Sequence, residues 1–306
     1  MPSLSTVRAS NASFSPTYTP VAIFVGGTAG IGQGMAQAFA RHTKGNAHIV
    51  LVGRNRTAAE SIIKTFPKPT TPGITHEFVE CDVTSMKHVH RVAETLRTRF
   101  PKVNFLVLTT GVATLDGRTE TEEGIDRKLA LHYYGRWRFI RDLVPALEEA
   151  HKAGEDAKVI SVLAAGRGGE IDLEDLGLKK HYSVANAHTS GTTYNDLMVK
   201  DFAARHPGLT FIHSYPSIVT TDVLKKSPNR SLRIANIFLV PLLRPFIYNA
   251  ETCGEHQLYA LLNAGPGAVR TKDNGDDMGW ASNYFGSEEA MRKLWEHTEE
   301  VTSTRA

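Results

Sequence analysis

Apolar and polar positions alternate along this chain at two spacings, and the spacings take turns. Short, nearly continuous apolar runs occur at "VAIFVGG" from Val21, "AHIVLVG" from Ala47, "ITHEFVECDV" from Ile74 and "VNFLVLTTG" from Val103. Two more follow at "AKVISVLAAG" from Ala157 and "LTFIHSYP" from Leu209, and "GAVRTKDNG" from Gly267 fits a seventh. Such runs, short and closed by glycine or polar residues, predict strands buried on both faces of a parallel sheet. Between them the apolar residues recur at helical spacing. One helix is expected from Ile31 to Arg41, and the longest from about Glu122 to Ala150. Ser287 followed by Glu288 and Glu289 reads as the N-cap and first turn of a last helix.

Strands that alternate with helices imply a sheet covered on both sides. The expectation is a single doubly wound, Rossmann-like α/β domain over residues 20–306, with about seven parallel strands. No internal repeat or linker divides the chain. Residues 1–19, rich in Ser, Thr and Pro, lack the apolar core of a secretory signal; acidic residues are absent, as in a transit peptide, but with a single Arg they read better as a mobile tail. "IANIFLVPLLRPFI" (Ile234–Ile247) is too short to span a bilayer and carries Pro241, Arg244 and Pro245. It fits a lid over a greasy substrate, within residues 222–250, or plain core.

Composition narrows the function. Of 306 residues 41% are hydrophobic and 22% charged, as in an ordinary soluble protein, and the net charge is +3. The cations are scattered rather than interleaved with aromatics, which argues against nucleic acid as a partner. Cys81 and Cys253 are far apart and lack metal-ligand spacing, so neither a metal site nor a disulfide framework is expected. A reducing compartment, the cytoplasm, is the default.

"VGGTAGIGQG" joins the first strand to the first helix. Gly26, Gly30 and Gly32, with Thr28 and Ile31 between them, suit a tight turn that lets a pyrophosphate approach the backbone and the helix N-terminus. An acidic residue at the end of the second strand would select the ribose of NAD. This chain has "VGRNR" there, and Arg54, with Asn55 or Arg56, favours the extra phosphate of NADP(H).

On these residues the chain resembles the short-chain dehydrogenase/reductase family, particularly its retinol-dehydrogenase-like and fungal members, from about Val21 to Ala264. The glycine turn is similar to the family's TGxxxGxG, with Val25 in place of Thr. "CDVTS" resembles the segment whose Asp touches adenine, here Asp82. "LTTG" (Leu108–Gly111) stands where the family has NNAG, which brings in Gly111. "YPSIVTT" resembles the PG motif, with Ser217 in place of Gly and Thr221 near the nicotinamide.

The resemblance implies an Asn-Ser-Tyr-Lys tetrad, and none of its four residues stands in the corresponding place. Within "ANAHTSGTTYND" the Tyr position falls on His188 and the Lys position on Thr192. The Asn position falls on His132, and the Ser position on Leu163 or Ala164. Tyr182 and Tyr194 have no Lys four residues on, so slippage does not restore the motif. Ser161 lies too deep on its strand to replace the Ser. His132 and His188 are candidate acid–base groups. Asp116 and Arg118, after the fourth strand, fit a solvated loop better than a substrate contact. "YYGRWRF" on the long helix fits either a homodimer interface of the kind family members form or a wet face.

The functional expectation is an NADP(H)-dependent oxidoreductase acting on a hydrophobic small molecule, in fungal secondary metabolism, whose acid is not Tyr. An iminium or a conjugated, quinone-like substrate would need little proton donation. A non-redox cyclase, cycloaddition catalyst or isomerase on the same fold is the alternative, and a non-enzymatic NADP(H)-binding scaffold the third.

Overall fold

The computed structural model describes residues 2–217, 219–220, 229 and 248–303. Thr221 and nearly all of the segment expected to form a lid lie outside the described residues, including Ile234–Ile247.

Each apolar run is a strand of one parallel sheet: β1 (Val21–Val25), β2 (His48–Gly53), β3 (His76–Glu80), β4 (Phe105–Leu108), β5 (Lys158–Val162) and β6 (Thr210–Ser214). Two short strands, β7 (Val219–Thr220) and β8 (Tyr248–Asn249), pair with each other, and β9 (Gly267–Thr271) is the seventh strand of the main sheet. The main order is β3-β2-β1-β4-β5-β6-β9. Val21–Val25 is buried throughout, because its alternate residues pack into different cores. Ile23 belongs with α4 (Met86–Arg99), α6 (Gly135–Lys152) and α7 (Val184–Arg205). Phe24 belongs with α2 (Gly30–His42), α3 (Arg56–Ile63) and the helix after β8, α8 (Ala250–Asn263). The chain reverses direction of winding between β1 and β4, which opens a crevice at the carboxyl ends of those strands.

Three regions differ from the sequence expectations. The N-terminal segment is not a mobile tail: Leu4–Ala12 forms α1, capped by Ser3 Oγ, and docks on α8. Asn11 Nδ2 donates to the Glu255 carboxylate at 2.8 Å. Arg41 (2.6 Å) and His42 (3.0 Å) hold the same fully buried carboxylate from α2. This anchor lies some 240 residues from α1, so no local pattern reports it.

The long helix begins later than expected. Asp126 caps the short turn α5 (Arg127–Leu129) by accepting from the Lys128 and Leu129 amides, both at 3.0 Å. Five residues of π-helix, Ala130–Tyr134, then connect α5 to α6. A π-turn inserts an extra residue into the helical repeat and re-aims the side chains that follow. Finally, "YYGRWRF" is neither an open interface nor wet. The C-terminal helix α9 (Glu288–Thr302), capped as expected by Ser287, covers it. Trp295 meets Trp137 edge-on at 5.1 Å, and Tyr133 Oη bonds Thr298 Oγ1 at 2.8 Å.

Candidate functional site

A cleft of about 440 Å³ opens at the carboxyl ends of β1, β2 and β4. Gly26, Thr28, Gly30 and Ile31 line it from the glycine turn, Arg54 and Asn55 from the end of β2, Asp82 from the end of β3, and Gly111 from the end of β4. Gly32 lies beneath the lining. Gly26 has φ +90°, and a Cβ there would stand 2.6 Å from Thr109 Oγ1, so only glycine lets the turn pass so close to β4. Gly30, at φ +57°, opens α2, whose N-cap Ala29 has no side-chain acceptor to give the first amides. Those amides and the positive end of the helix therefore face the cleft, ready for an anion.

The residues after β2 divide their work. Asn55 Oδ1 accepts from the Ala58 amide at 2.9 Å and caps α3. Arg56 lies 4.9 Å over the Phe78 ring and pairs loosely with Glu80. Arg54 is exposed on the rim, with no hydrogen-bond or ion-pair partner among the described residues. Burial alone would raise the Asp82 pKa. Thr84, donating from both its amide and its hydroxyl, and the Arg54 charge outweigh that and keep it below the usual carboxylate range. Sequence reasoning missed Cys81, Val83, Thr109, Val112 and Leu131 in the same lining. Their uncharged side chains gave no signal apart from their place at strand ends.

Beyond Gly111 the wall changes character. The Val112 amide donates to His132 Nε2 at 3.3 Å. His132 sits in the π-turn and is buried, and its Nδ1 has no partner among the described residues. Because Nε2 accepts, the proton belongs on Nδ1. Burial, aided by the Arg136 and His188 charges, lowers the His132 pKa to about 3. His132 is therefore a neutral donor at physiological pH, not a group that titrates there. Arg136, one turn on, is fully buried and bonds the carbonyls of Thr110 (2.5 Å) and Val162 (2.9 Å) and Ser161 Oγ (2.7 Å). Ser161 donates in turn to Asn195 Oδ1 at 2.6 Å, which confirms its depth and occupies its hydroxyl.

His188 stands on the first half of α7 and is exposed. The protein packed around it, and then the Lys128 charge, lower its pKa from the ordinary value. Thr192 is buried, and its hydroxyl turns back to the His188 carbonyl at 2.9 Å, so it offers nothing to a ligand. His132 and His188 are near enough for one to depress the other's pKa. Asp116 and Arg118 are engaged with neighbours: Asp116 accepts from Asn229, and Arg118 pairs with Glu120.

A doubly wound sheet with a glycine cradle and an uncapped helix end at its switch point defines a protein built to hold a dinucleotide-like anion. Comparison makes the class specific. The "short chain dehydrogenase" family model matches residues 20–169. Oxidoreductase AN1596 of Emericella nidulans is 36% identical over 86% of this chain and 78% of its own. Oxidoreductase andH of Emericella variicolor is 32% identical over 86% and 76%. The 3-ketoacyl-(acyl-carrier-protein) reductase of Brucella melitensis, complexed with NADH, shares the fold with a TM-score of 0.58, 20% identity, and coverage of 84% and 97%. The chain belongs to the short-chain dehydrogenase family.

Proposed function

We propose that this chain is an NADP(H)-dependent oxidoreductase that acts on a hydrophobic small molecule, in fungal secondary metabolism, through a site without the family's Tyr–Lys pair. The observation that carries this reading is Arg54, a guanidinium with no hydrogen-bond or ion-pair partner among the described residues, on the rim of a cleft built for phosphates. The cleft fits a nicotinamide dinucleotide: α2 and the glycine turn would take the pyrophosphate, Asp82 the adenine end, and Arg54 a 2′-phosphate. When bound, the cofactor supplies or accepts a hydride. The chain's own part is to hold it, shield the site and place the substrate. His188 stands closest to the role of proton donor or acceptor, and His132 is a fixed neutral donor that shapes the wall. The test is a calorimetric titration of NADPH and NADH. NADPH is expected to bind more tightly, by a charge-assisted contact of about 1.5–3 kcal/mol, and Arg54→Ala to narrow the gap. Equal affinities in the unmutated protein would remove the reading.

One observation favours the non-redox alternative: Thr192, at the Lys position, is buried and bonded to its own helix. A chain that had kept hydride transfer would gain from a cation there. The two readings separate on whether deuterium from 4-deuterated NADPH appears in the product.

A further inference from the structure

A cation does stand close to the cleft, behind the residues that line it and on a different element. Lys128 belongs to α5, one turn before His132, and is 4% exposed. Its Nζ makes one hydrogen bond, a long one of 3.3 Å to the Thr114 carbonyl. An ammonium carries three N–H donors, so two have no acceptor among the described residues. Burying an ammonium with one of its three donors bonded is costly, and a native protein retains such a group where something else completes it. Thr114 directly follows Ala113, which lines the cleft, and the Val112 amide binds His132. Lys128 therefore stands just outside the lining, beside Ala113. The Tyr182 ring centroid is 5.8 Å from Nζ, and His188 is close enough to feel the charge.

The carboxylates nearby are spoken for. Asp126 Oδ1 accepts the Lys128 and Leu129 amides, and its Oδ2 accepts the Thr119 amide at 3.2 Å. Asp116 Oδ1 accepts from Asn229 at 2.9 Å. Neither makes an ion pair with Nζ, although both charges are felt there. Burial outweighs them and lowers the Lys128 pKa.

We infer that Lys128 recognises the substrate through an electron-rich oxygen, so that the substrate is a conjugated carbonyl or quinone rather than an iminium. An iminium offers no lone pair to the free N–H groups and would set a second cation beside the first. A carbonyl oxygen accepts both donors. Hydride addition to a conjugated carbonyl breaks the C=O π bond and leaves its electron pair on that oxygen. The negative charge thus forms where Lys128 is strongest, and the oxyanion then takes a proton that comes from solvent by way of His188. The hydride donor is the nicotinamide of the proposed function, on which this substrate class rests. Recognition of the oxygen does not rest on it.

The probe is 4-nitrophenol, titrated by absorbance near the pH at which its two forms coexist, without NADPH. The protein is expected to bind the phenolate, so that the bound probe ionises at lower pH than the free one. Lys128→Met is expected to weaken phenolate binding by at least about tenfold while leaving NADPH affinity unchanged. Binding that ignores Lys128→Met, or a protein that binds only the neutral phenol, overturns the inference. The second measurement needs no variant and stands even where Lys128→Met fails to fold. With NADPH present, 9,10-phenanthrenequinone is expected to be reduced and 3,4-dihydroisoquinolinium not. Phenolate binding that depends on Lys128 without any NADPH oxidation would keep Lys128 as the oxygen site and count against the reductase reading.

Discussion

The two ends of the crevice are made of different materials. The cofactor end is mostly backbone: a turn that only Gly26 allows, the bare amides that open α2, and strand ends that converge by topology. The chemistry end is mostly side chain, with Lys128 and His132 from the helix after β4 and His188 from α7. Backbone geometry of this kind persists as long as the fold does. Side-chain constellations change one residue at a time, and this end holds one neutral histidine, one depressed histidine and one ammonium with a single hydrogen bond.

The largest expected effect falls on the chemistry end. His188→Phe keeps a ring and removes both nitrogens, and turnover should drop by roughly 10²–10⁴-fold if His188 moves a proton in the transition state. NADPH affinity should hardly move. A drop of tenfold or less in a folded variant would reduce His188 to lining. Next comes the cofactor end. Gly30→Val places a β-branched residue at φ +57° beside the phosphate path. NADPH affinity should fall by about a hundredfold or more, with a near-native far-UV spectrum. Retained binding would mean that the turn only shapes the fold.

A smaller effect lies outside both ends. Burial would raise the Glu255 pKa, but hydrogen bonds from His42, Asn11 and Arg41 outweigh it and hold the carboxyl at about 2, against an ordinary 4.5. A depressed acid stabilises the fold above its unfolded pKa, and that stability is lost as pH falls through the folded one. The loss should therefore run from about pH 4.5 down to about pH 2. It should amount to about 1–3 kcal/mol and loosen α1 first. Hydrogen exchange of the α1 amides across this range reads it directly. Protection that stays constant down to pH 2 would show that the clasp contributes nothing.

The same contrast explains what the sequence made legible. The strands, their order along the chain, the glycine cradle and Arg54 were readable because each is local: an apolar run, a spacing, a charge just after a strand. The α1 anchor was not, because Asn11 and Glu255 are 244 positions apart and both are polar. Lys128 drew no notice because the expected helix start at Glu122 placed it within the helix. In the structure the Asp126 cap moves the start to Arg127 and turns Lys128 inward. His132 was read as a titrating group because the sequence does not show the burial that keeps the ring neutral, although Arg136 stands in plain view four residues on.

The most direct test of a retained cofactor end joined to an altered chemistry end is a crystal structure of the protein soaked with NADPH. The account predicts an ordered nicotinamide, with the 2′-phosphate within about 3 Å of the Arg54 guanidinium. The His188 ring and Lys128 Nζ should border the space in front of the nicotinamide C4. A dinucleotide bound elsewhere, or a nicotinamide ring excluded from the space between Gly111 and His188, would contradict it.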